Sequence, residues 1–224
     1  RKELLELFQE TGVKKDASHL LANWNPYDQN ASAPFFDAEW MFGLEEGFDI
    51  VIGNPPYVNL QKVDAKSLKN ANYKTFENTG DLYSLFYERG NNLLRDYGIL
   101  CYITSNKWIN ANYGKSTRKY FATQTNPLVL IDFGKIKIFE SATVFVNILI
   151  FQKAKNENRL MACTIEGDKM PDVNLSDYFN AHKFVLQDLD ENIWKVNNAI
   201  TFNINSYIEG KGTKLKDWKN ISFF

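Results

Sequence analysis

The chain has few of the residues that build metal centres and disulfide frameworks. Its 224 residues include only two cysteines, Cys101 and Cys163, and two histidines, His19 and His182. Neither pair has the close spacing of a zinc site, and both cysteines stand in apolar segments typical of strands. We therefore expect two reduced thiols in a core and no catalytic metal.

Long hydrophobic runs and a leader-like start are also missing. No apolar stretch approaches the roughly 20 residues needed to cross a bilayer. The charged start at Arg1 and Lys2 does not resemble a secretion signal. With 44% hydrophobic and 15% aromatic residues, the chain can still bury the core of one or two domains. The sequence predicts a soluble, cytoplasmic protein with no membrane partner.

The most informative segment is the apolar run at residues 48–52, which is followed by Gly53-Asn54-Pro55-Pro56-Tyr57. The run is short, continuous and β-branched, which predicts a strand buried on both faces of a parallel sheet. Ligands bind at the carboxyl ends of such strands. Because the two prolines fix their own φ and extend the preceding residue, we expect a stiff turn that holds Asn54 and Tyr57 in place.

This turn carries groups suited to methylating an exocyclic amine on a nucleobase. Such an amine is a poor nucleophile because its lone pair is delocalised into the ring. The side-chain oxygen of Asn54 can accept one amine hydrogen, and the carbonyl of Pro55 can accept the other. The ring of Tyr57 can stack on a base taken out of a duplex, which restores about 1–3 kcal/mol per base. The alternative is a Pro-Pro turn that only caps a core strand.

The tetrapeptide Asn54-Pro55-Pro56-Tyr57 resembles the catalytic motif of amino-methyltransferases that use S-adenosylmethionine, especially adenine-specific DNA methyltransferases. Together with residues 35–43 and 47–53 it resembles the large bacterial type II enzymes that combine adenine methyltransferase and endonuclease in one polypeptide. The resemblance implies that Asn54 and Pro55 bind the target amine and that Pro56 shapes the cofactor side. It also implies that Tyr57 stacks on an adenine flipped out of double-stranded DNA.

The rest of the chain predicts an α/β fold. A helix is predicted to begin at the cap Asp81, with an apolar stripe formed by Leu82, Leu85, Phe86, Leu93 and Leu94. It precedes a second buried strand at residues 99–104, so a parallel crossover is expected. Strands at residues 128–133 and 144–151 are too close together for a crossover helix and are predicted to be antiparallel. With the resemblance, this becomes a partial Rossmann-like, S-adenosylmethionine-dependent methyltransferase sheet that ends in an antiparallel strand.

One further site residue follows from the resemblance, and another from the chain before the first strand. Phe139 stands just before the fourth strand, where the family places an aromatic residue that packs on the flipped adenine opposite Tyr57. The alternative is that Phe139 only fills the core. Asp37 is predicted to approach the cofactor.

Positive charge is concentrated after the motif, although the formal net charge of the chain is −1. Residues 1–57 contain four basic and ten acidic side chains, whereas residues 58–140 contain twelve and seven. The basic segment can line a phosphate track or be an ordinary solvated surface, and the sequence leaves both open. The residues predicted to contact a DNA backbone are Lys62, Lys66, Lys107, Lys115 and Arg118.

The first half of a cofactor site is absent from the sequence. Methyltransferases of this sheet type bind S-adenosylmethionine through a glycine-rich turn, and no Gly-x-Gly precedes Asn54. Residues 1–154 are predicted to be the C-terminal half of the catalytic domain, and residues 155–224 a connector or the start of a target-recognition domain. We therefore expect a longer parent chain that supplies the N-terminal cofactor-binding half and the rest of the target-recognition part. The isolated piece is predicted to bind cofactor poorly and to be inactive.

Two other functions stay open. Methyltransferases that act on protein glutamine or on RNA amino groups can use the same tetrapeptide, and a non-catalytic DNA-binding fragment would retain the motif without using it. Phe139 and the lysine-bearing segment after Tyr57 favour a DNA base. No acidic cluster with a lysine partner marks a nuclease, so any cleavage domain is expected elsewhere in the parent.

Overall fold

The structure is a computed structural model of the chain. It describes residues 2–10, 15–23, 25, 38–63, 65–139, 144–196, 204, 207–208 and 210–213. The chain divides into two compact units, Arg1–Gly47 and Phe48–Phe224. The first unit contains the helices α1 (Lys2–Glu10), α2 (Lys15–Asn23) and α3 (Ala38–Phe42).

The second unit is built around a six-stranded mixed sheet in the order β1-β2-β4-β3-β5-β6. Its strands are β1 (Phe48–Gly53), β2 (Leu94–Ser105), β3 (Asn126–Asp132), β4 (Val146–Gln152), β5 (Leu160–Thr164) and β6 (Phe184–Leu186). β1 is parallel to β2, and β3 is parallel to β5. β4 is antiparallel to both β2 and β3, and β6 is antiparallel to β5.

Short helices connect these strands. They are α4 (Ala65–Asn70), α5 (Leu82–Leu93), α6 (Lys107–Asn110), α7 (Lys115–Gln124) and α8 (Leu175–His182), with 3-10 turns at Leu60–Lys62 and Asn112–Gly114. None of the helices in the described segments is both long and apolar enough to cross a membrane.

The predicted strand directions are confirmed where the site lies. β1, α5 and β2 form the parallel crossover, and the third and fourth strands are antiparallel. β4 lies inside the sheet. After β3 the chain reverses direction, and β4 then pairs with β2 on one side and with β3 on the other. The sheet then continues beyond residue 154 into β5 and β6, so strand pairing does not break at the predicted domain boundary.

The prediction that the first strand is buried on both faces is wrong for this chain. β1 is the edge strand of the sheet and pairs only with β2 among the described strands. Its side chains Ile50 and Ile52 are 64% and 77% exposed. A β-branched run indicates that a strand favours burial, but it does not indicate whether the covering layer is supplied by the same stretch of chain.

The two faces of the sheet differ in how they are covered. On the face that carries α5 and α7, Leu100, Leu149 and Phe151 are fully buried and pack into one aromatic-rich core. We call this the covered face. The opposite face contains Ile50 and Ile52 of β1, together with their register partners Ile99 and Cys101 and the neighbouring Ile103, Ile148 and Ile150. We call the β1 end of this second face the open face.

Helix α5 confirms part of the predicted stripe. Leu85 and Leu94 are buried as predicted, and Tyr83 and Tyr87 are buried with them, whereas Phe86 is 39% exposed. Asp81 occupies the N-cap position but makes no side-chain capping hydrogen bond, and its Oδ2 accepts a 3.0 Å hydrogen bond from the hydroxyl of Tyr113. The buried face also carries Glu88, which accepts a hydrogen bond from the N–H of Thr75, and Asn91, which donates to the hydroxyl of Tyr120.

Candidate functional site

The Asn54-Pro55-Pro56-Tyr57 turn lies at the carboxyl end of β1. The last register pair of β1 and β2 joins Gly53 to Tyr102, and a Cβ at Gly53 would lie 3.2 Å from the ring of Tyr102. A glycine is therefore favoured at the point where the strand gives way to the turn. Pro55 is buried and Pro56 is exposed.

Tyr57 is held at both ends of its ring. Its hydroxyl donates a 3.3 Å hydrogen bond to the carbonyl of Ile103 on β2. Its ring meets the buried ring of Tyr83 edge to face, with centroids 6.3 Å apart and an interplanar angle of 89°. Desolvation by burial raises the pKa of Tyr57 above the ordinary value for a phenol, so the hydroxyl stays protonated and can donate.

The segment after the turn is tied to the start of α5. The N–H of Leu60 donates to the carbonyl of Gly80 at 2.9 Å, and the N–H of Leu82 donates to the carbonyl of Val58 at 2.8 Å. The side-chain amide of Asn59 donates to the carbonyl of Thr79 at 3.2 Å. The turn is thus fixed by β2 on one side and by α5 on the other.

Two acceptors on the turn have no donor among the described residues. Asn54 is exposed, and its side chain makes no hydrogen bond within the part of the chain that the structure describes. The same described residues donate nothing to the carbonyl of Pro55. An amide oxygen and a backbone carbonyl therefore stand beside an anchored aromatic ring, which is a geometry that can bind a planar amine by two hydrogen bonds and a stacking contact.

Phe139 reaches the same part of the sheet as Tyr57. Both residues are half-buried, and both pack against one cluster of buried side chains. We call it the Ile131 cluster, and its members are Ile131, Phe133, Ile136, Val146 and Ile165. The structure thus brings the two predicted stacking residues together on one support. Whether either one stacks on a base stays a prediction.

A buried polar clamp that the sequence analysis missed holds the start of the loop leading to Phe139. The carboxylate Oδ1 of Asp132 accepts hydrogen bonds from the side chain of Asn106 at 2.8 Å and from the N–H of Gly134 at 3.0 Å. Burial raises the pKa of Asp132, and these two hydrogen bonds oppose that rise. Gly134 has a φ of +57°, and a Cβ there would lie 3.0 Å from the carbonyl of Ile165. The Asp-x-Gly pattern directly after a strand is the signal that could have revealed this turn.

A second buried network lies under the covered face near the same edge. The hydroxyl of Thr104 lies 2.8 Å from that of Tyr87, and Thr104 also donates to the Oδ1 of Asn147 at 3.2 Å. The indole N–H of Trp108 donates to the same oxygen at 3.2 Å. These contacts fix β2 and β4 against α5 and α6, next to the carbonyl that holds Tyr57. Isolated polar residues in apolar strands gave no sequence signal for this network.

Arg118 is not available to a DNA phosphate, which corrects its predicted role. It is 3% exposed, and its guanidinium donates to the backbone carbonyls of Trp108, Ala111 and Glu191. Desolvation by burial lowers the pKa of Arg118 from its ordinary value, while the nearby Asp190 opposes that change. The residue joins α7 to the turn after β2 and to the segment near residue 191, so its role is structural.

The lysines predicted to contact DNA have different surroundings. Lys115 forms a 3.0 Å ion pair with Glu191, which also lies 3.4 Å from Lys119 and whose pKa Lys115 lowers. Lys62 and Lys107 are exposed. Lys66 lies in α4, but its side chain is outside the described residues. Asp37 also lies outside them, so its predicted contact with the cofactor stays a prediction.

Both cysteines are free thiols. Burial raises the pKa of Cys163 to about 11 and also raises the pKa of the half-buried Cys101, which keeps both thiols protonated at neutral pH. Within the described segments, no cluster of histidine, cysteine, aspartate and glutamate side chains is suited to a metal ion.

The fold is that of Rossmann-like methyltransferase structures. The DNA-bound type ISP restriction-modification enzyme LlaBIII is similar over 74% of this chain and 14% of its own, with a TM-score of 0.50 and 14% identity. A modification subunit from Vibrio vulnificus is similar over 70% of this chain and 40% of its own, with a TM-score of 0.51 and 12% identity. At such identities the likeness shows the fold alone.

The chain belongs to the Eco57I restriction-modification methylase family, whose family model matches residues 2–139. It is 31% identical over 116 residues to the type II restriction enzyme and methyltransferase RM.Eco57I of Escherichia coli, covering 50% of this chain and 12% of that protein. It is 30% identical over 161 residues to the type II methyltransferase M.XhoI of Xanthomonas vasicola, covering 70% of this chain and 27% of that protein. The chain therefore spans only a small part of these relatives.

Proposed function

We propose that the protein to which this chain belongs is an adenine-specific DNA methyltransferase of a restriction-modification system. The observation that carries the proposal is the Asn54-Pro55-Pro56-Tyr57 turn. It lies at the carboxyl end of a parallel strand, with an anchored ring and with two acceptors that have no donor among the described residues, in a member of the Eco57I family.

The turn supplies the methyl-accepting side of the site. The Asn54 oxygen and the Pro55 carbonyl each accept one hydrogen of the adenine amino group, which keeps the nitrogen lone pair from delocalising into the ring. Tyr57 and Phe139 stack on the adenine once it has left the duplex. Their shared support on the Ile131 cluster favours this arrangement.

S-adenosylmethionine is the proposed cofactor and supplies the methyl group. The residues of this chain fit only part of the requirement for binding it. Pro56 is exposed on the side of the turn assigned to the cofactor, but no glycine-rich turn precedes Asn54 in the sequence. We expect the 224-residue chain to bind the cofactor poorly and to be inactive by itself, which calorimetric titration with S-adenosylmethionine will test. Micromolar binding by the isolated chain would contradict this expectation.

The cofactor-binding half of the proposed parent lies N-terminal to this chain. It adds strands to the edge of β1 and covers the open face, and the exposure of Ile50 and Ile52 supports this placement. Residues 155–224 add β5 and β6 to the sheet and then lead into the part that recognises the DNA target. An endonuclease in the same polypeptide is included in the proposal, because the relative RM.Eco57I is named as both restriction enzyme and methyltransferase.

Double-stranded DNA is the proposed partner, and exposed lysines contact its backbone. Lys62 follows the turn directly, and Lys107 begins α6 at the end of β2, so both lie near the carboxyl edge of the sheet. Lys115 contributes to DNA binding when a backbone phosphate displaces Glu191 from its ion pair with the lysine. Lys66 remains a proposed contact on sequence grounds.

The substrate class is tested with the parent enzyme and S-adenosylmethionine carrying a labelled methyl group. DNA, RNA and protein are offered separately, and the labelled product is hydrolysed and identified by mass spectrometry. The proposal predicts methyl-adenine from DNA and no label in the other two. Label in RNA or in protein glutamine would show that the turn is an amino-methylation site acting on a different substrate. No label in any substrate would favour a non-catalytic fragment.

A further inference from the structure

The hydroxyl of Tyr57 uses a carbonyl that strand pairing would otherwise occupy. Alternate residues of β2 direct their backbone groups to opposite neighbours. The even-numbered ones face β4, because the N–H of Asn106 donates to Phe145 and the N–H of Lys153 donates to Gly98. The carbonyl of Ile103 therefore faces β1.

The partner that this carbonyl would meet in a continued ladder is the N–H of residue 55. The last register pair is Gly53 with Tyr102, so Asn54 would stand opposite Ile103. In a parallel ladder the carbonyl of a residue bonds the N–H one position beyond its opposite residue. That position is Pro55, which has no N–H. The vacant carbonyl instead accepts the Tyr57 hydroxyl at 3.3 Å.

We propose that Pro55 positions Tyr57: by lacking an N–H, it leaves the Ile103 carbonyl to the Tyr57 hydroxyl, which sets the orientation of the ring. This inference rests on the proposed function, in which the ring stacks on the target base. It assigns Pro55 a role beyond its carbonyl and makes the hydroxyl of Tyr57, as well as its aromatic face, part of the site.

The hydroxyl contact adds direction to the packing of the Tyr57 ring. Tyr83 contacts the ring edge to face, and the Ile131 cluster also packs against it. Apolar contacts of this kind have little directional preference, whereas the hydrogen bond to Ile103 fixes the far end of the ring. Because the hydrogen bond is long for a hydroxyl donor, we expect its effect on the rate to be modest.

The first test measures the anchor without any substrate. 3-Fluorotyrosine is placed at position 57 of the parent enzyme, and its fluorine signal is followed while the pH is raised. The Pro55→Ala variant gains an N–H that competes for the Ile103 carbonyl, so its residue 57 is expected to ionise at a lower pH than in the wild type. The matched control Pro56→Ala leaves that carbonyl unchanged and should titrate as the wild type does. Equal titration of the Pro55→Ala variant and the wild type would overturn the proposal.

The second test measures methyl transfer by the parent with Tyr57→Phe, Pro55→Ala and the double variant. Loss of one ordinary hydrogen bond predicts a fall in kcat of about three- to tenfold for each single variant, with little change in KM for DNA. Because both changes break the same contact, the double variant should be no slower than the slower single one. A Tyr57→Phe enzyme with wild-type kcat, or effects that multiply, would overturn the proposal. Absence of methyl transfer by the wild type would instead refute the proposed function, and the fluorine titration would still decide the anchor.

Discussion

The covered face and the open face of the sheet are made from similarly apolar strands but end in different environments. On the covered face, Leu100, Leu149 and Phe151 are completely buried under α5 and α7. On the open face, Ile50 and Ile52 are 64% and 77% exposed. The difference shows that hydrophobic patterning identifies a surface that favours burial without identifying what buries it.

The candidate site lies at the carboxyl end of β1 and is supported from both faces of the sheet. On the covered face, Tyr83 contacts Tyr57, and the buried hydrogen bonds of Thr104 fix the neighbouring part of β2. The Ile131 cluster, on the other side of the sheet, supports Tyr57 and Phe139. The open face ends at β1, the strand that leads into the turn, and we assign this side to the cofactor. The chain therefore contains a well-fixed turn, which we propose as the methyl-accepting half of the site, and an uncovered apolar surface on the strand before it.

The largest effect is expected from trimming matched aliphatic side chains on the two faces. Leu149→Ala removes a fully buried side chain and should lower the free energy of unfolding by about 2–5 kcal/mol. Ile52→Ala removes a side chain of the same size that is 77% exposed, and in the isolated chain it should change the free energy by less than about 0.5 kcal/mol. Urea denaturation of both variants measures the contrast.

Repeating Ile52→Ala in the parent enzyme sharpens the comparison. If the N-terminal half covers the open face, the same substitution should now cost as much as a core substitution, about 2–5 kcal/mol. If Ile52→Ala leaves the free energy of unfolding of the parent unchanged, the open face stays in contact with solvent and the proposed placement of the cofactor-binding half is wrong.

The next largest effect separates structural from DNA-binding cations. Arg118→Ala should lower the free energy of unfolding by about 2–3 kcal/mol, because it leaves several buried carbonyls without their donor. Lys107→Ala should leave stability unchanged but reduce the salt dependence of DNA binding by the parent by about one unit of slope. Denaturation and salt-dependent fluorescence anisotropy check the two expectations. A stable Arg118→Ala protein with a reduced salt slope would reverse the assignment.

Thiol labelling compares two ends of the same sheet face. Cys101 is the register partner of Ile52 on the open face and is half-buried, whereas Cys163 on β5 is fully buried. Burial also raises the pKa of Cys163 to about 11, so little thiolate is present at neutral pH. A thiol reagent should therefore modify Cys101 at least about tenfold faster than Cys163. The Cys101→Ser variant identifies the fast thiol, and equal rates would contradict the difference in cover.

The smallest effect concerns pH. Burial raises the folded-state pKa of Asp132, so the folded protein binds a proton more readily than the unfolded chain. The stabilising contribution of this group is present below its unfolded pKa and is lost as the pH rises through the folded pKa. Relative to Asp132→Asn, the wild type should gain stability as the pH falls from 7 into the carboxylate range. Parallel curves of stability against pH for the two proteins would rule out this contribution.

Sequence reasoning identified the parts of the fold that depend on local pattern. The crossover from β1 to β2 and the antiparallel pair of β3 and β4 follow from run length and spacing, and both were predicted. The exposure of β1 was not predicted, because the burial of a strand depends on residues far away in the sequence or outside this chain. The insertion of β4 between β2 and β3 also has no local signature, since register is decided by pairing over long distances.

In the candidate site too, the features that depend on local sequence were predictable and those that depend on strand pairing were not. The motif residues stand in consecutive order, so the sequence alone located the turn. The Ile103 carbonyl that holds Tyr57 is a backbone group with no side-chain signature, and its use depends on the register of two strands. Arg118 was wrongly predicted to contact DNA because the sequence shows only that a basic residue is present. It does not show that the folded chain surrounds the guanidinium with backbone carbonyls.

The central claim is that Asn54 on this turn binds the amino group that receives the methyl. The most direct measurement is methyl transfer to DNA by the parent enzyme, with Asn54→Ala compared against Asn92→Ala, an exposed asparagine on α5. We expect Asn54→Ala to lower kcat by about a hundredfold or more, the range seen when one preorganised polar partner is removed, while Asn92→Ala methylates adenine as the wild type does. Wild-type methylation of adenine by Asn54→Ala would contradict the account.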